Sequence, residues 1–187
     1  FAYSGNRSLS YWNKLRVEDF GDDPRQGALS FLDTTDSKKI IQFISNRKTK
    51  QALELVKHNL EKAAEYNLVI QAMEKIVQET VGWSMEFILE SEPFGVFLKV
   101  NQRVLEFDVL PDGLKSILSL VADLLRRLDR INWTTAKPVL ERDFILFLDE
   151  IDIHLHPAWQ RKILPVIQKT FPNAQIFVST HSPFVVG

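Results

Sequence analysis

The chain has 187 residues, which is enough for one domain with a sizeable hydrophobic core. Its 23 basic and 24 acidic residues almost cancel, so the overall charge does not favour a nucleic-acid or membrane surface over the whole chain. The absence of cysteine excludes disulfides and thiolate metal sites, and no apolar run is long enough to span a bilayer, so we expect a cytoplasmic protein.

The N-terminal part of the chain combines a short strand with a long helical region. Residues 1–4 are apolar and end in a turn, and residues 9–17 are expected to form a short helix. Over 36–80, apolar residues recur at three- and four-residue steps between charged ones, which predicts amphipathic helices. We interpret 8–82 as a helical insert that carries no chemistry.

Three short strands are expected next. Residues 83–90 and 96–100 alternate between apolar and polar, and 103–109 give a third apolar stretch. Because short turns separate adjacent stretches, we assign 83–109 to a small antiparallel sheet.

The remaining part, 110–187, has the pattern of an α/β unit. Residues 113–129 are expected to form an amphipathic helix, and 158–170 a second helix. The unbroken apolar run 144–148 indicates a central parallel strand that is covered on both faces, and 175–179 indicate a second buried strand. The fold class is therefore α/β, with a parallel sheet, an inserted helical lobe and a small antiparallel sheet.

Two acidic residues, Asp149 and Glu150, follow the first of these buried strands. In open α/β sheets, ligands bind at the carboxyl ends of the strands. Asp149 can hold Mg²⁺ directly or through water, because Mg²⁺ prefers hard oxygen ligands. On an extended backbone, Glu150 points to the other side and can polarise a water for attack on a γ-phosphate. A strand that simply ends in solvent with two acids is the alternative, and these residues alone leave both interpretations open.

A histidine, His181, follows the second buried strand, within the segment 179–183. It lies about thirty residues beyond the acids, a spacing that suits one strand–helix–strand unit and places His181 beside Glu150. Its imidazole can hydrogen-bond the γ-phosphate or the attacking water. The alternative is an ordinary loop histidine.

The segment LPDGLKS, residues 110–116, precedes the long helix. Gly113 and the free amides of the first helical turn can form an anion site. Taken alone, these residues favour a plain helix start with Asp112 as the N-cap.

Together, these three elements resemble an ABC-type ATPase, in the order signature motif, Walker B strand with its glutamate, D-loop and switch histidine. Two stretches of the sequence are similar to those of bacterial stand-alone ABC/AAA-like ATPases: LFLDEIDIHLHPAWQRKILPVIQKTFPNAQIFVSTHSP and LPDGLKSILSLVADLLRRL. These ATPases are of the "predicted ATP-binding protein involved in virulence" type, relatives of the OLD family and of the retron- and Septu-associated anti-phage ATPases. The resemblance is strongest over 109–187 and extends more loosely to 1–7 and 31–47.

The resemblance implies a P-loop NTPase fold of the ABC-head type that binds and hydrolyses ATP with Mg²⁺ between two ATPase subunits. Asp149 would hold Mg²⁺, Glu150 would be the catalytic base and His181 the switch histidine. Residues 152–157 would form a D-loop that reaches a partner subunit. The signature, which would cover the partner's ATP, comprises Leu110, Pro111, Asp112, Gly113, Leu114 and Lys115.

The resemblance also implies partners. A second copy of the ATPase would complete a homodimer, and the ATP cycle would drive a conformational change in an anti-phage or DNA-transaction system. An effector nuclease or toxin would be the controlled partner, while binding of nucleic acid is left undecided and no membrane is involved.

Two features depart from the family pattern. Pro111 stands where the signature usually has Ser, so a hydroxyl contact to the γ-phosphate is lost. The phosphate loop G-x-x-x-x-G-K-[ST] is absent, since none of the seven glycines is followed directly by Lys-Ser or Lys-Thr. Because the chain begins at Phe1 rather than Met, we expect a piece of a longer protein, inactive by itself. Asn6 is the nearest candidate for the glutamine that links nucleotide to helical lobe.

Other polar residues allow either a structural or a functional interpretation. Asp152, His154 and His156 alternate, which could indicate three metal ligands, but we favour a D-loop that leads into the next helix. For the basic residues we favour solvated helix surfaces over a nucleic-acid groove. These basic residues are Arg47, Lys48, Lys50, Arg126, Arg127 and Arg130.

Two rival functions remain. A non-hydrolysing module could use bound ATP to hold a toxin or nuclease in check, but it would have no need of the Glu150 carboxylate. A DNA-repair head of the SMC type would need a long coiled coil, whereas 53–77 span only about three heptads.

Overall fold

The computed structural model describes residues 1–5, 21–30, 36–134 and 136–186. Asn6 and the short helix expected over 9–17 lie outside the described residues.

Two long helices, α1 (Ser37–Val56) and α2 (Leu60–Val81), pack against each other. The Asp36 carboxylate starts α1 by accepting hydrogen bonds from two backbone amides of the first turn, and the Asn59 side chain caps α2 in the same way. Gly82 ends α2 at a φ of 83°, a backbone conformation that favours glycine. The buried faces of the two helices carry aliphatic side chains, among them Ile40, Ile41, Ile44, Ile70, Met73 and Ile76.

The small antiparallel sheet contains β2 (Met85–Ser91), β3 (Phe94–Val100) and β4 (Arg103–Leu105), in that order. The third strand was expected over 103–109, which is wrong at its C-terminal end. The chain leaves the sheet after Leu105 and forms a 3-10 turn at Phe107–Val109. Phe107 is only 1% exposed in the core, so burial of its ring takes precedence over continued strand pairing.

The parallel sheet contains β1 (Ala2–Tyr3), β5 (Phe144–Leu148) and β6 (Ala174–Val178), with β5 in the centre. Helix α4 (Pro157–Thr170) connects β5 to β6, and the short α5 (Pro183–Val186) follows β6. The predicted fold class is confirmed: an α/β parallel sheet with helices and a small antiparallel sheet. None of the helices in the described ranges is long and apolar enough to cross a membrane.

Helix α3 (Asp112–Arg130) lies in the hydrophobic core, where it packs against α1 and α2. Its aliphatic side chains are at most 2% exposed, and burial of each stabilises the fold by roughly 1.5–3 kcal/mol. Ser116, Ser119 and Asp123 are buried as well, so the helix is covered on almost every side. These aliphatic side chains are Leu114, Ile117, Leu118, Leu120, Val121, Leu124, Leu125 and Leu128.

The central strand β5 is buried on one face only. Phe144, Leu146 and Leu148 point into the core, whereas Ile145 is 47% exposed and Phe147 36% exposed. The prediction that this strand is covered on both faces is therefore wrong for the part of the chain described. An apolar run fixes the strand but cannot tell whether a second layer covers it.

Candidate functional site

The candidate site lies where β5 and β6 end side by side. The last residues of the two strands are paired, and the Ser179 amide donates to the Leu148 carbonyl over 2.8 Å. On the other side of β5, the Asp149 amide donates to the Tyr3 carbonyl over 2.8 Å. The sheet thus holds the backbones of Asp149 and Ser179 at one level, at its carboxyl edge.

Ser179 joins the two acidic residues. Its hydroxyl donates a hydrogen bond to Asp149 Oδ1 and accepts one from the Glu150 backbone amide over 2.9 Å. Ser179 was not among the site residues predicted from the sequence. Its position as the first polar residue after β6 was the only signal for this role, because its partners are about thirty residues away.

Glu150 and His181 come together at the same edge. His181 Nε2 lies 3.7 Å from Glu150 Oε1, and the two side chains are 88% and 40% exposed. The expected juxtaposition of Asp149, Glu150 and His181 at the ends of adjacent parallel strands is present. As an exposed pair beyond direct hydrogen-bond distance, Glu150 and His181 contribute little to stability and are free to contact a ligand.

The backbone at Glu150 is not extended, contrary to expectation. Its φ of 49° lies in the left-handed region, which a residue with a Cβ adopts at a cost. The chain turns here, and the Ile153 amide donates to the Glu150 carbonyl over 3.2 Å. The turn directs the chain into the segment that precedes α4.

Gly5 packs directly against Glu150. A Cβ atom on Gly5 would lie 2.8 Å from Glu150 Cβ and 2.9 Å from the Glu150 carbonyl oxygen. Distances this short are excluded by van der Waals radii, so only glycine fits here without a shift of Glu150. The sequence marked Gly5 merely as part of a turn.

A groove of about 240 Å³ adjoins the acids. It runs between the ends of β5 and β6 on the uncovered face of the sheet, where the rings of Phe147 and Phe177 stack with centroids 5.0 Å apart. Asp149 and Ser179 bring oxygen atoms to an otherwise apolar lining.

The segment 151–156 turns from the sheet edge towards α4. The Thr180 hydroxyl donates to the Asp152 carboxylate, which ties this segment to the loop that carries His181. His156 is the N-cap of α4, where its Nδ1 accepts a hydrogen bond from the Ala158 amide over 3.2 Å. No group of three potential metal ligands occurs among the described residues, so the metal interpretation of Asp152, His154 and His156 is not supported. The D-loop role stays a prediction.

The start of α3 differs from the favoured interpretation, because Asp112 is not its N-cap. Pro111 takes that position, and Asp112 is the first helical residue, 79% exposed and 3.8 Å from the Lys115 ammonium group. Gly113 is buried against the segment 151–156, since a Cβ at Gly113 would lie 2.5 Å from the His154 carbonyl oxygen. Leu110 and Leu114 are buried as well. No hydrogen bond recorded for the described residues joins the segment 110–115 to Asp149, Glu150 or His181.

The arginines near the end of α3 are not solvated, which corrects the interpretation favoured from the sequence. Arg126 is 2% exposed, and both Arg126 and Arg127 donate to the Asp123 carboxylate, with closest distances of 2.7 and 2.6 Å. The Tyr3 hydroxyl donates to the same carboxylate over 3.0 Å. Arg127 also donates to two backbone carbonyls of the segment 24–26. Asp123 lies one helical turn before the arginines and balances one of their two positive charges in the core.

The pKa values of this cluster reflect its charges. Burial alone would raise the pKa of Asp123, but the charges and hydrogen bonds of Arg126 and Arg127 lower it. Burial raises the pKa of Tyr3 well above its usual value, and the negative charge of Asp123 raises it further. The carboxylate therefore stays ionised and the phenol stays neutral.

Arg130 and Arg47, which were also expected on solvated helix surfaces, form partly buried ion pairs instead. Arg130 Nη1 lies 2.9 Å from Asp22 Oδ1, and Lys39 Nζ lies 2.9 Å from Asp22 Oδ2. Burial alone would raise the pKa of Asp22, but its contacts with Lys39 and Arg130 lower it to about 2. Arg47 pairs with Asp129.

Comparison with protein families gives a match over almost the whole chain. Residues 7–187 match the model described as "AAA domain, putative AbiEii toxin, Type IV TA system".

Curated relatives match over shorter regions. The chain is 43% identical over 97 residues to the "Retron Ec83 probable ATPase" of Escherichia coli. The aligned region makes up 52% of this chain and 18% of that protein. It is 46% identical over 77 residues to the "Retron Vc95 probable ATPase" of Vibrio cholerae serotype O1 biovar El Tor, covering 41% and 15%. It is 30% identical over 99 residues to "Septu protein PtuA" of Bacillus thuringiensis, covering 52% and 25%. The matched regions thus make up a quarter or less of these relatives.

Solved structures give a distant likeness. An Smc head bound to the C-winged helix domain of ScpA has a TM-score of 0.47 and 17% identity, covering 79% of this chain and 46% of that chain. An Smc head domain with a coiled coil and joint from Pyrococcus yayanosii has a TM-score of 0.46 and 18% identity, covering 71% and 25%.

Proposed function

The chain belongs to the AAA-domain family of the putative AbiEii toxin type, and on that premise we propose that it supplies one side of a site that hydrolyses ATP. The observation that carries this proposal is the convergence of Asp149, Glu150 and His181 at the carboxyl edge of the parallel sheet. Two relatives that bear the words "probable ATPase" in their names support the same activity.

Asp149 and Ser179 are the residues that would hold Mg²⁺. The Asp149 carboxylate and the Ser179 hydroxyl are hard oxygen donors, they contact each other, and both line the groove at the strand ends. Mg²⁺ held by these two residues would supply positive charge that offsets part of the phosphate charge.

Glu150 would act as the general base. Its carboxylate projects from a left-handed turn at the sheet edge, 40% exposed, where a water molecule can reach it. The carboxylate takes a proton from the water that attacks the γ-phosphate, and ADP leaves with inorganic phosphate as the other product. His181, 3.7 Å from Glu150, donates a hydrogen bond to a phosphate oxygen or orients the same water.

The other half of the site would come from a second subunit. Residues 110–115 would cover the nucleotide of the partner, and the segment 152–157 would lie at the shared interface. In this scheme, 8–82 and 83–109 are subdomains inserted before the core 110–187. Closure and opening of the dimer would control an effector, such as a nuclease or toxin, in a defence system.

A turnover assay on the full-length protein tests the proposal. We expect Mg²⁺-dependent release of ADP and phosphate at about 1 s⁻¹ or more when the dimer is complete, within the usual range for enzymes. Stoichiometric ATP binding without turnover would instead support a module that controls its effector through binding alone.

A further inference from the structure

Gln160, in the first turn of α4, contacts both loops that leave the candidate site. Its Nε2 donates to the carbonyls of Leu155 over 2.9 Å and Asp152 over 3.2 Å. Its Oε1 accepts a hydrogen bond from the Ser182 hydroxyl over 2.6 Å. One side-chain amide therefore joins the segment 151–156 to the loop that follows β6.

These two loops adjoin or contain Glu150 and His181, the two residues that the proposed hydrolysis brings together. The segment 151–156 begins directly after Glu150, and His181 lies between Thr180 and Ser182. The Thr180 hydroxyl bonds to the Asp152 carboxylate and accepts a hydrogen bond from the Ser182 amide over 3.0 Å. The side chain of His181 itself is 88% exposed, so burial of that side chain does little to fix this residue. Its position is therefore set by its two neighbours.

We propose that Gln160 is a positioning residue that sets the separation between Glu150 and His181 by joining their loops. This inference rests on the proposed hydrolytic role of Glu150 and His181. The chemistry of the amide suits the task, because one planar group donates to carbonyls on one side and accepts from a hydroxyl on the other. A carboxylate of the same shape can accept but cannot donate, and an aliphatic side chain can do neither.

Amide hydrogen exchange of the full-length protein tests the contact without reference to activity. In Gln160→Glu and Gln160→Leu, the Ser182 and Phe184 amides, which donate to hydroxyls held by this network, should exchange about tenfold faster or more. Gln168, exposed on the same helix, gives the matched controls Gln168→Glu and Gln168→Leu, which should leave those rates unchanged. Unchanged exchange in both Gln160 variants would overturn the inference, whatever the protein does with ATP.

Kinetics test the consequence for the site. Both Gln160 variants should lower kcat by about tenfold or more with little change in the KM for ATP, because Gln160 is not one of the residues proposed to contact the nucleotide. Ser182→Ala removes one partner of Gln160, so its effect should not add to that of Gln160→Leu in a double-mutant cycle. Faster exchange with an unchanged kcat, or fully additive effects, would overturn the inference. Absence of turnover in the parental protein would contradict the proposed function. The exchange measurement would still show whether Gln160 joins the two loops.

Discussion

Gly5 shows how a single small residue shapes the candidate site. Its missing side chain leaves room for Glu150, whose Cβ would otherwise lie 2.8 Å from that of residue 5. From the sequence, Gly5 could be predicted only as a turn residue, because its contact with Glu150 depends on how β1 pairs with β5. Local patterns give the type of residue at a turn but not the residue that packs against it.

We expect Gly5→Ala to shift Glu150 and to lower ATP turnover of the full-length protein by about tenfold or more, the scale of a misplaced catalytic group. Gly21→Ala is the control, since no described residue other than its chain neighbours has an atom within 4 Å of a Cβ placed there. Steady-state turnover of both variants is the measurement. Parental turnover in Gly5→Ala would mean that the contact does not position Glu150.

Asp22 gives a prediction about pH. Its pKa in the folded chain is about 2, below the ordinary value of 3.8, so its ion pairs stabilise the fold above about pH 4. This contribution, about 2 kcal/mol, should be lost as the pH falls from about 4 to 2.

Asp22→Asn should therefore lower the free energy of unfolding by about 2 kcal/mol at neutral pH and by about half as much at pH 3. Urea unfolding of the 187-residue chain at several pH values measures this difference. Asp143→Asn, at a carboxylate that is 66% exposed, should change stability little at any pH. A difference for Asp22→Asn that does not depend on pH would contradict the ion-pair account.

Helix α3 shows what a helical pattern can and cannot predict. The three- and four-residue spacing of its aliphatic residues correctly predicted the helix and the face that packs in the core. Both features depend on residues close in sequence. Its arginines were expected in solvent because charged side chains usually lie there. The structure buries Arg126 and Arg127 instead: both donate to Asp123, which also accepts from Tyr3, and Arg127 donates to the segment 24–26. Several of these partners lie about a hundred residues away, where no local pattern reaches.

We expect Asp123→Ala to lower the free energy of unfolding by about 3–5 kcal/mol, because it leaves buried guanidinium groups without their counter-charge. Asp112→Ala, on the same helix but 79% exposed, should cost at most about 1 kcal/mol. Urea unfolding of both variants provides the comparison. Equal effects would show that the buried cluster does not hold α3 to β1.

At the scale of the whole molecule, the alternation of buried strands and helices predicted the α/β sheet correctly, and the ends of β5 and β6 predicted which residues meet. The sequence could not predict that, among the described residues, no second layer covers β5 on the side of Ile145 and Phe147. That exposure depends on which elements form a second layer, and a continuous apolar strand is compatible with either arrangement.

The 187-residue chain by itself should not bind ATP measurably at about 1 mM, which corresponds to only about 4 kcal/mol of binding free energy. Its sequence contains no G-x-x-x-x-G-K-[ST] loop, and such loops provide the backbone amides and the lysine that hold the phosphates. The acids at the sheet edge repel ATP unless Mg²⁺ is present. Isothermal titration with Mg-ATP is the test, and saturable heat with micromolar affinity would show that a phosphate site lies within this chain.

The most direct test of the whole account is the ATP turnover of the full-length protein with Glu150→Gln. If Glu150 is the general base, this variant should bind ATP as before and remain in a closed dimer. Its rate of ATP hydrolysis should fall by about a hundredfold or more. Glu90→Gln, at an exposed position of the antiparallel sheet, should hydrolyse ATP at the parental rate. Parental turnover in Glu150→Gln would contradict the assignment of the site.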